Sequence, residues 1–223
     1  MKGKKETELL PEERDKLEAL IDEAFRKVIL LPREQDLVDF FVKVQDHRHE
    51  FRGEELTEKL KVVDVFYYAN CPLGFIAIEP SYDFYDWKKT SSRAELKLGH
   101  YVHSHIEDIV IDVLDENQID YSVLSDDCEF DTAIFWENQD MLEMQFIVDC
   151  WGKAKEKTKS EVLGFLQASD GSGGPYDLRN GFDLWGEKGS ISDYLERQGV
   201  IIEKEPKQHP KGKKSGFWRR LFG

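Results

Sequence analysis

The spacing of the apolar residues changes abruptly at Val62, and that change constrains the fold more than any other feature of the chain. Before it, Leu17, Leu20, Ile21, Ala24, Phe25, Val28 and Ile29 recur at helical spacing. They form one continuous stripe along one helix. Leu10-Pro11-Glu12-Glu13 opens that helix well, with proline at an early position and acids in the first turn. Pro32 ends it. Leu37, Phe40, Phe41 and Val44 repeat the pattern in a second helix, and so short a link predicts two antiparallel neighbours. A short helical piece is expected over 54–60. From Val62 the run Val-Val-Asp-Val-Phe-Tyr-Tyr consists of strand formers. Asn70-Cys71-Pro72-Leu73-Gly74 is a turn signal, and Phe75-Ile76-Ala77-Ile78 is the returning strand.

Further along, a third strand is expected around Asp83–Trp87. The longest helix is expected from about Ser92 to Glu116, with Leu98, Tyr101, Val102, His105, Ile106, Ile109, Val110, Val113 and Leu114 on one face. Strands are expected at Ile119–Leu124 and Thr132–Trp136. Asp140 then caps a helix running to about Lys157, and Val162–Ala168 reads as a strand. Asn180-Gly181, between two β-like runs, is the strongest hairpin signal in the chain. Ser190–Gln198 is a short capped helix closed by Gly199. The whole reads as α+β: an N-terminal helical hairpin, a small mostly antiparallel sheet with a long packed helix, then a second α/β segment. No long linker interrupts residues 10–202, so residues 1–202 are expected to form one compact domain.

Residues 203–223 differ in kind. They carry seven Lys/Arg against two Glu, a net of +5, whereas the first 202 residues carry 24 basic and 43 acidic side chains, a net of −19. The segment holds Pro206, Pro210 and Gly212 among its lysines, which opposes regular structure and predicts a flexible tail. It is tipped by Phe217, Trp218, Arg219, Arg220, Leu221 and Phe222. One helical turn puts the four apolar side chains on one face with the arginines beside them. Exposed aromatics are costly in water, so the tip is expected to dock. Three receptors fit: an apolar groove on a protein partner, an anionic membrane surface, or the chain's own acidic body.

No stretch of the chain approaches the length of an apolar transmembrane span, and the basic N-terminus lacks the apolar run of a signal peptide. Cys71, Cys128 and Cys150 are odd in number and lack paired spacing, which fits reduced thiols and a cytoplasmic location. A net charge of −14 argues against general nucleic-acid binding, because phosphate contacts demand a basic surface. No nucleic-acid partner, cofactor or metal is expected.

Individual motifs carry little chemistry. His100, His103 and Glu107 share a predicted helix face, but three ligands spread over two turns rarely converge on one ion. A solvated face, with His105 packed in the apolar stripe, is the simpler reading. His47 and His49 flank Arg48 in a polar stretch. The glycine-rich Asp170–Gly174 lacks the Gly-Lys-Ser/Thr ending of a phosphate loop. Cys150-Trp151 reads as core.

Asp86-Trp87-Lys88 is the one motif with catalytic precedent. With the order helix, three strands, helix, strand over residues 10–124, it resembles the core of the restriction-endonuclease-like nuclease superfamily. That resemblance implies a divalent metal held by Asp86 and a second acid, Asp64 or Glu79, with Lys88 activating water or stabilising charge. The acidic body opposes a DNA channel. In charge and size the chain is also similar to the acidic immunity proteins that accompany bacterial toxins, which implies binding to a basic protein. The expected function is therefore a non-enzymatic interaction protein with an acidic surface for a basic partner and a C-terminal docking tail. The alternatives are a metal-dependent nuclease-like enzyme using Asp86 and Lys88, and a peripheral membrane protein held by its tail.

Overall fold

A computed structural model describes residues 10–46, 60–67, 73–81, 83–85, 94–98, 103–118, 132–168, 174–184 and 190–204, with backbone alone at 103–107 and 132–138. Five α-helices, α1 (Pro11–Phe25), α2 (Glu34–Gln45), α3 (His103–Glu116), α4 (Thr132–Thr158) and α5 (Ile191–Arg197), accompany six strands. The strands are β1 (Val62–Tyr67), β2 (Phe75–Pro80), β3 (Ala94–Lys97), β4 (Leu163–Ala168), β5 (Tyr176–Asp177) and β6 (Phe182–Asp183). They form one mixed sheet in the order β3-β2-β1-β4-β5-β6. Only β1 and β4 run parallel; every other neighbouring pair is antiparallel. The architecture is the expected α+β.

The N-terminal hairpin forms as its sequence dictates. Pro11 begins α1, and Glu13 Oε2 reaches back to the Leu10 N–H at 2.9 Å, pairing one donor that a helix start leaves open. No loop links the two helices. A π-helical turn at Arg26–Leu30 and a 3₁₀ turn at Leu31–Arg33 lead directly into α2. The arms take different partners: α1 rests mainly on α3, and α2 on α4.

Strand β1 is central, so both of its faces are buried and its sequence reads as a near-continuous apolar run. Val63, Val65 and Tyr67 point into the main core with Phe25, Leu30, Phe41, Ile78, Ile147 and Trp151. Val62 points the other way, into a second core made with Phe84, Phe165, Leu184, Tyr194 and Leu195. A third cluster joins Leu17 and Ile21 of α1 to Val110, Val113 and Leu114 of α3. Helices α2 and α4 thus cover one sheet face, with α1 and α3 beside them, and α5 covers part of the other.

Three expected elements differ from the structure. Residues 83–85 form a turn, in which the Ser81 carbonyl accepts the N–H groups of Phe84 and Tyr85. The third strand lies instead at Ala94–Lys97, inside the stretch expected to begin a helix. Its four residues alternate buried and exposed and pair with β2; tertiary pairing outweighs their helix propensity. Residues 132–136, expected as a strand, are the first turns of α4. Continuity with a long helix overrides the β-preference of Ile134, Phe135 and Trp136. The expected piece at 54–59 and the expected strand at 119–124 lie outside the described residues.

The Asn180-Gly181 hairpin forms. Gly181 takes φ +71°, a conformation that side chains disfavour. Asn180 Oδ1 accepts the Phe182 N–H at 3.0 Å. Ser190 caps α5 through a reciprocal contact with Asp193, and Gly199, at φ +74°, closes it. Val200 and Ile202 then pack against the second core. Lys204 donates to Ser192 Oγ and lies 5.9 Å from the Phe84 ring centre.

Candidate functional site

The residues singled out in the sequence fall unevenly on the fold. Phe217, Trp218, Arg219, Arg220, Leu221 and Phe222 lie outside the described residues, as do Asp86, Lys88, His47, His49 and His100. His103 and His105 lie on α3, where the backbone alone is described. Of the glycine-rich stretch only Gly174 is described. Cys150 is buried beside the buried Trp151, and burial pushes its thiol up to about 12. It is a core residue with negligible thiolate at neutral pH.

Asp64 and Glu79, read in the sequence as alternatives, are brought together. They stand directly opposite each other on β1 and β2, so their side chains share a sheet face. The same row continues through Phe165 of β4 to Asp177 of β5. Asp64 is buried and Glu79 half-buried. Asp177 is fastened at the far end of the row. It accepts Arg179 Nε at 2.9 Å and Tyr194 Oη at 3.1 Å. These contacts account for its carboxylate as a structural anchor between the β5–β6 hairpin and α5. Among the described residues no three His, Cys, Asp or Glu side chains gather in a metal-holding arrangement. Nor is any helix there long and apolar enough to cross a membrane.

Helix α3 carries the most one-sided charge. Its sequence, HSHIEDIVIDVLDE, contains five acids and neither lysine nor arginine. Val110, Val113 and Leu114 turn toward α1. Asp108, Asp112, Asp115 and Glu116 are exposed, at spacings that place them on one face.

A second polar group is not legible as a site in the sequence. Gln139 and Glu143 lie one turn apart on α4, 2 % and 1 % exposed. They extend the buried stripe of Ile147, Cys150 and Ala154 toward the helix N-terminus. That substitution of polar for apolar residues at stripe positions is the sequence signal that could have found them. Glu143 Oε1 accepts the Leu73 N–H at 2.7 Å, just before β2. Burial drives its carboxyl up to about 8. The Leu73 bond opposes the shift, Asp140 adds to it, and Arg33 opposes it. Glu143 therefore keeps its proton at neutral pH and can donate as well as accept. Arg33, 5 % exposed, donates to the Ile29 carbonyl. The phenol of Tyr176 is also raised, first by burial and then by Asp183 and Asp140. The Asp140 carboxylate thus acts on both Glu143 and Tyr176.

No family model, curated protein or solved structure matches the chain. What its function rests on is its own residues.

Proposed function

We propose that this is a non-enzymatic binding protein that offers an acidic surface to a basic protein partner, in the manner of an inhibitor or immunity protein. The observation that carries this reading is α3: five acids without a basic residue, on a helix whose apolar side is spent on α1. A single-sign patch focuses the field and speeds encounter with a partner of opposite charge. The basic-aromatic segment Phe217–Phe222 is the second docking element, proposed for an apolar groove on a partner. Affinity capture with three chains tests the reading: intact, ending at Lys204, and carrying Asp108→Asn, Asp112→Asn and Glu116→Gln. A cationic protein retained by the intact chain and lost with the neutralised α3 supports it. Retention of the same partner by the neutralised chain would sink it. Anionic vesicles that bind the intact chain but not the shortened one would move the tail's role to a membrane surface.

A second reading, a metal-dependent nuclease-like enzyme, is favoured by one observation: Asp64 and Glu79 are cross-strand neighbours, so one of them could serve with Asp86 and Lys88. Divalent-dependent cleavage of DNA or RNA, abolished by Asp64→Asn and by Asp86→Ala, would promote it. Cleavage that survives both variants, or none at all, removes it.

A further inference from the structure

Strand β3 is the outermost of the described strands at one end of the sheet. Its ladder with β2 fixes which backbone groups face outward. The Leu98 N–H donates to the Gly74 carbonyl at 3.1 Å. That pair continues the register in which Ile76 faces Leu96 and Ile78 faces Ala94. Bonded and unbonded pairs alternate along an antiparallel ladder. Ala94, Leu96 and Leu98 therefore direct their N–H and C=O groups at β2, and those of Glu95 and Lys97 point away from it. On its other side β2 bonds β1 through the intervening residues, in step with the Ser81 N–H that donates to the Val62 carbonyl at 3.1 Å.

The side chains alternate in the same way. Ala94 is buried, and Leu96 and Leu98 are half-buried against the main core. Glu95 and Lys97 are exposed on the opposite face. An outward row of N–H and C=O groups is a template for another strand. An antiparallel second copy of β3 can use the groups of Glu95 and Lys97 in three registers. Centred on Glu95, it sets the two glutamates opposite each other; centred on Lys97, the two lysines. Like charges directly opposite are destabilising. Centred on Leu96, it sets Glu95 of each copy opposite Lys97 of the other. Leu96 then meets its own counterpart and Ala94 meets Leu98, all on the apolar face. Backbone, charge and apolar matching select this one register, and its two-fold symmetry closes the pair.

From this self-complementarity we propose that β3 is a homodimer interface, at which two copies join edge to edge, antiparallel about Leu96, into one continuous sheet. At each Glu95–Lys97 pair the two residues exchange both backbone hydrogen bonds and their side chains attract across the strands. The contact is small, well below the roughly 1,200 Å² of a standard interface, so the dimer is a weak one. The net charge of −14 on each copy opposes it. At about 0.15 M salt that repulsion is screened beyond about 8 Å, whereas cross-strand side chains lie only about 5 Å apart. The contact uses neither α3 nor the terminal segment, so it is independent of binding to a basic partner.

Sedimentation equilibrium of the full-length protein at about 0.15 M salt, from about 1 μM to about 1 mM, tests the interface. The average mass is expected to rise with concentration from that of one chain toward that of two and no further. Over the same range amide exchange should slow at Glu95 and Lys97 and stay unchanged at Leu96 and Leu98. Glu95→Lys and Lys97→Glu, each alone, set like charges opposite and should weaken association about tenfold or more. Mixed in equal amounts, the two variants are complementary and should associate within a few-fold of wild type. The chain carrying both exchanges should do the same. A protein that stays monomeric throughout overturns the proposal. So does a dimer indifferent to the single exchanges, a mixture no tighter than its components, or a mass that climbs past two copies. The mass and exchange curves of the unmodified protein decide even where a variant fails to fold.

Discussion

Gly164 lies where β4 passes beneath α4, and it shows how narrowly single residues are specified here. A Cβ at this position would meet Leu178 Cδ1 at 2.7 Å and Trp151 Cζ2 at 2.9 Å. Both neighbours are fully buried, so neither has room to retreat. Gly164→Ala is expected to destabilise the protein by about 1–3 kcal/mol through overpacking, read as a lower denaturant midpoint with an unchanged slope. Glu143 makes stability depend on pH. Its proton affinity rises from the ordinary 4.5 to about 8 on folding. Across that window the folded chain holds a proton that the unfolded chain has released, so stability falls as pH rises and the penalty is complete above the upper value. Glu143→Gln removes the titration. The thermal midpoint of wild type should therefore drop more between about pH 5 and about pH 9 than that of the variant. Parallel slopes would show that Glu143 is ionised in the folded protein. Gly164 looks like an ordinary strand residue until its partners across the core are known, and Glu143 is marked in the sequence only by its place on the apolar stripe of α4.

Elements are legible where local pattern and tertiary demand agree. The stripe from Leu17 to Phe25, the central strand at Val62–Tyr67, the Asn180-Gly181 turn and the capped α5 all form as their residues dictate, whereas Val28, read as part of the same stripe, is 51 % exposed on the π-helical turn that follows α1. Ala94–Lys97 escapes a reading by pattern because a four-residue edge strand carries little period of its own and is defined by β2 beside it. The path from α1 to α2 departs in detail from expectation, because Pro32 is accommodated in a 3₁₀ turn and does not break the chain's helical course. Side-chain ties between elements are equally hidden. Gln45, at the end of α2, is buried and donates to the Trp151 carbonyl at 3.3 Å, and its side-chain oxygen accepts from Thr158 Oγ1 at 2.9 Å. Its own carbonyl accepts from Ser160 Oγ at 2.9 Å. It locks α2 to the last turns of α4. Gln45→Ala should cost about 1–3 kcal/mol, since it leaves buried partners unmet, and amide exchange should quicken first at the C-terminal turn of α4. Exchange that stays uniform along α4 would deny this tie.

Across the molecule as a whole, the packed body runs up to the compositional boundary, and Lys204 just past it still contacts that body. Val200 and Ile202 contribute to the second core, and Lys204 reaches Ser192. Shortening the chain to end at Lys204 should leave the thermal midpoint unchanged, whereas ending it at Gly199 should lower it by several degrees. A fall on the first truncation would place the remaining residues on the body and contradict their role as a docking element. Charge is the molecular property on which the proposed function rests. The opposition of a −19 body to a +5 terminal segment is plain in the sequence. The concentration of acids on α3 becomes plain only when α1 is seen to occupy that helix's apolar side. Recognition through that acidic face is best probed by the association rate between the intact chain and its captured partner as ionic strength rises. Because the Debye length shrinks from about 30 Å at 0.01 M to about 8 Å at 0.15 M, a steep fall in rate is expected for the native protein and a shallow one once Asp108, Asp112 and Glu116 are neutralised. A rate indifferent to salt, or equally steep with and without those three charges, would contradict binding through α3.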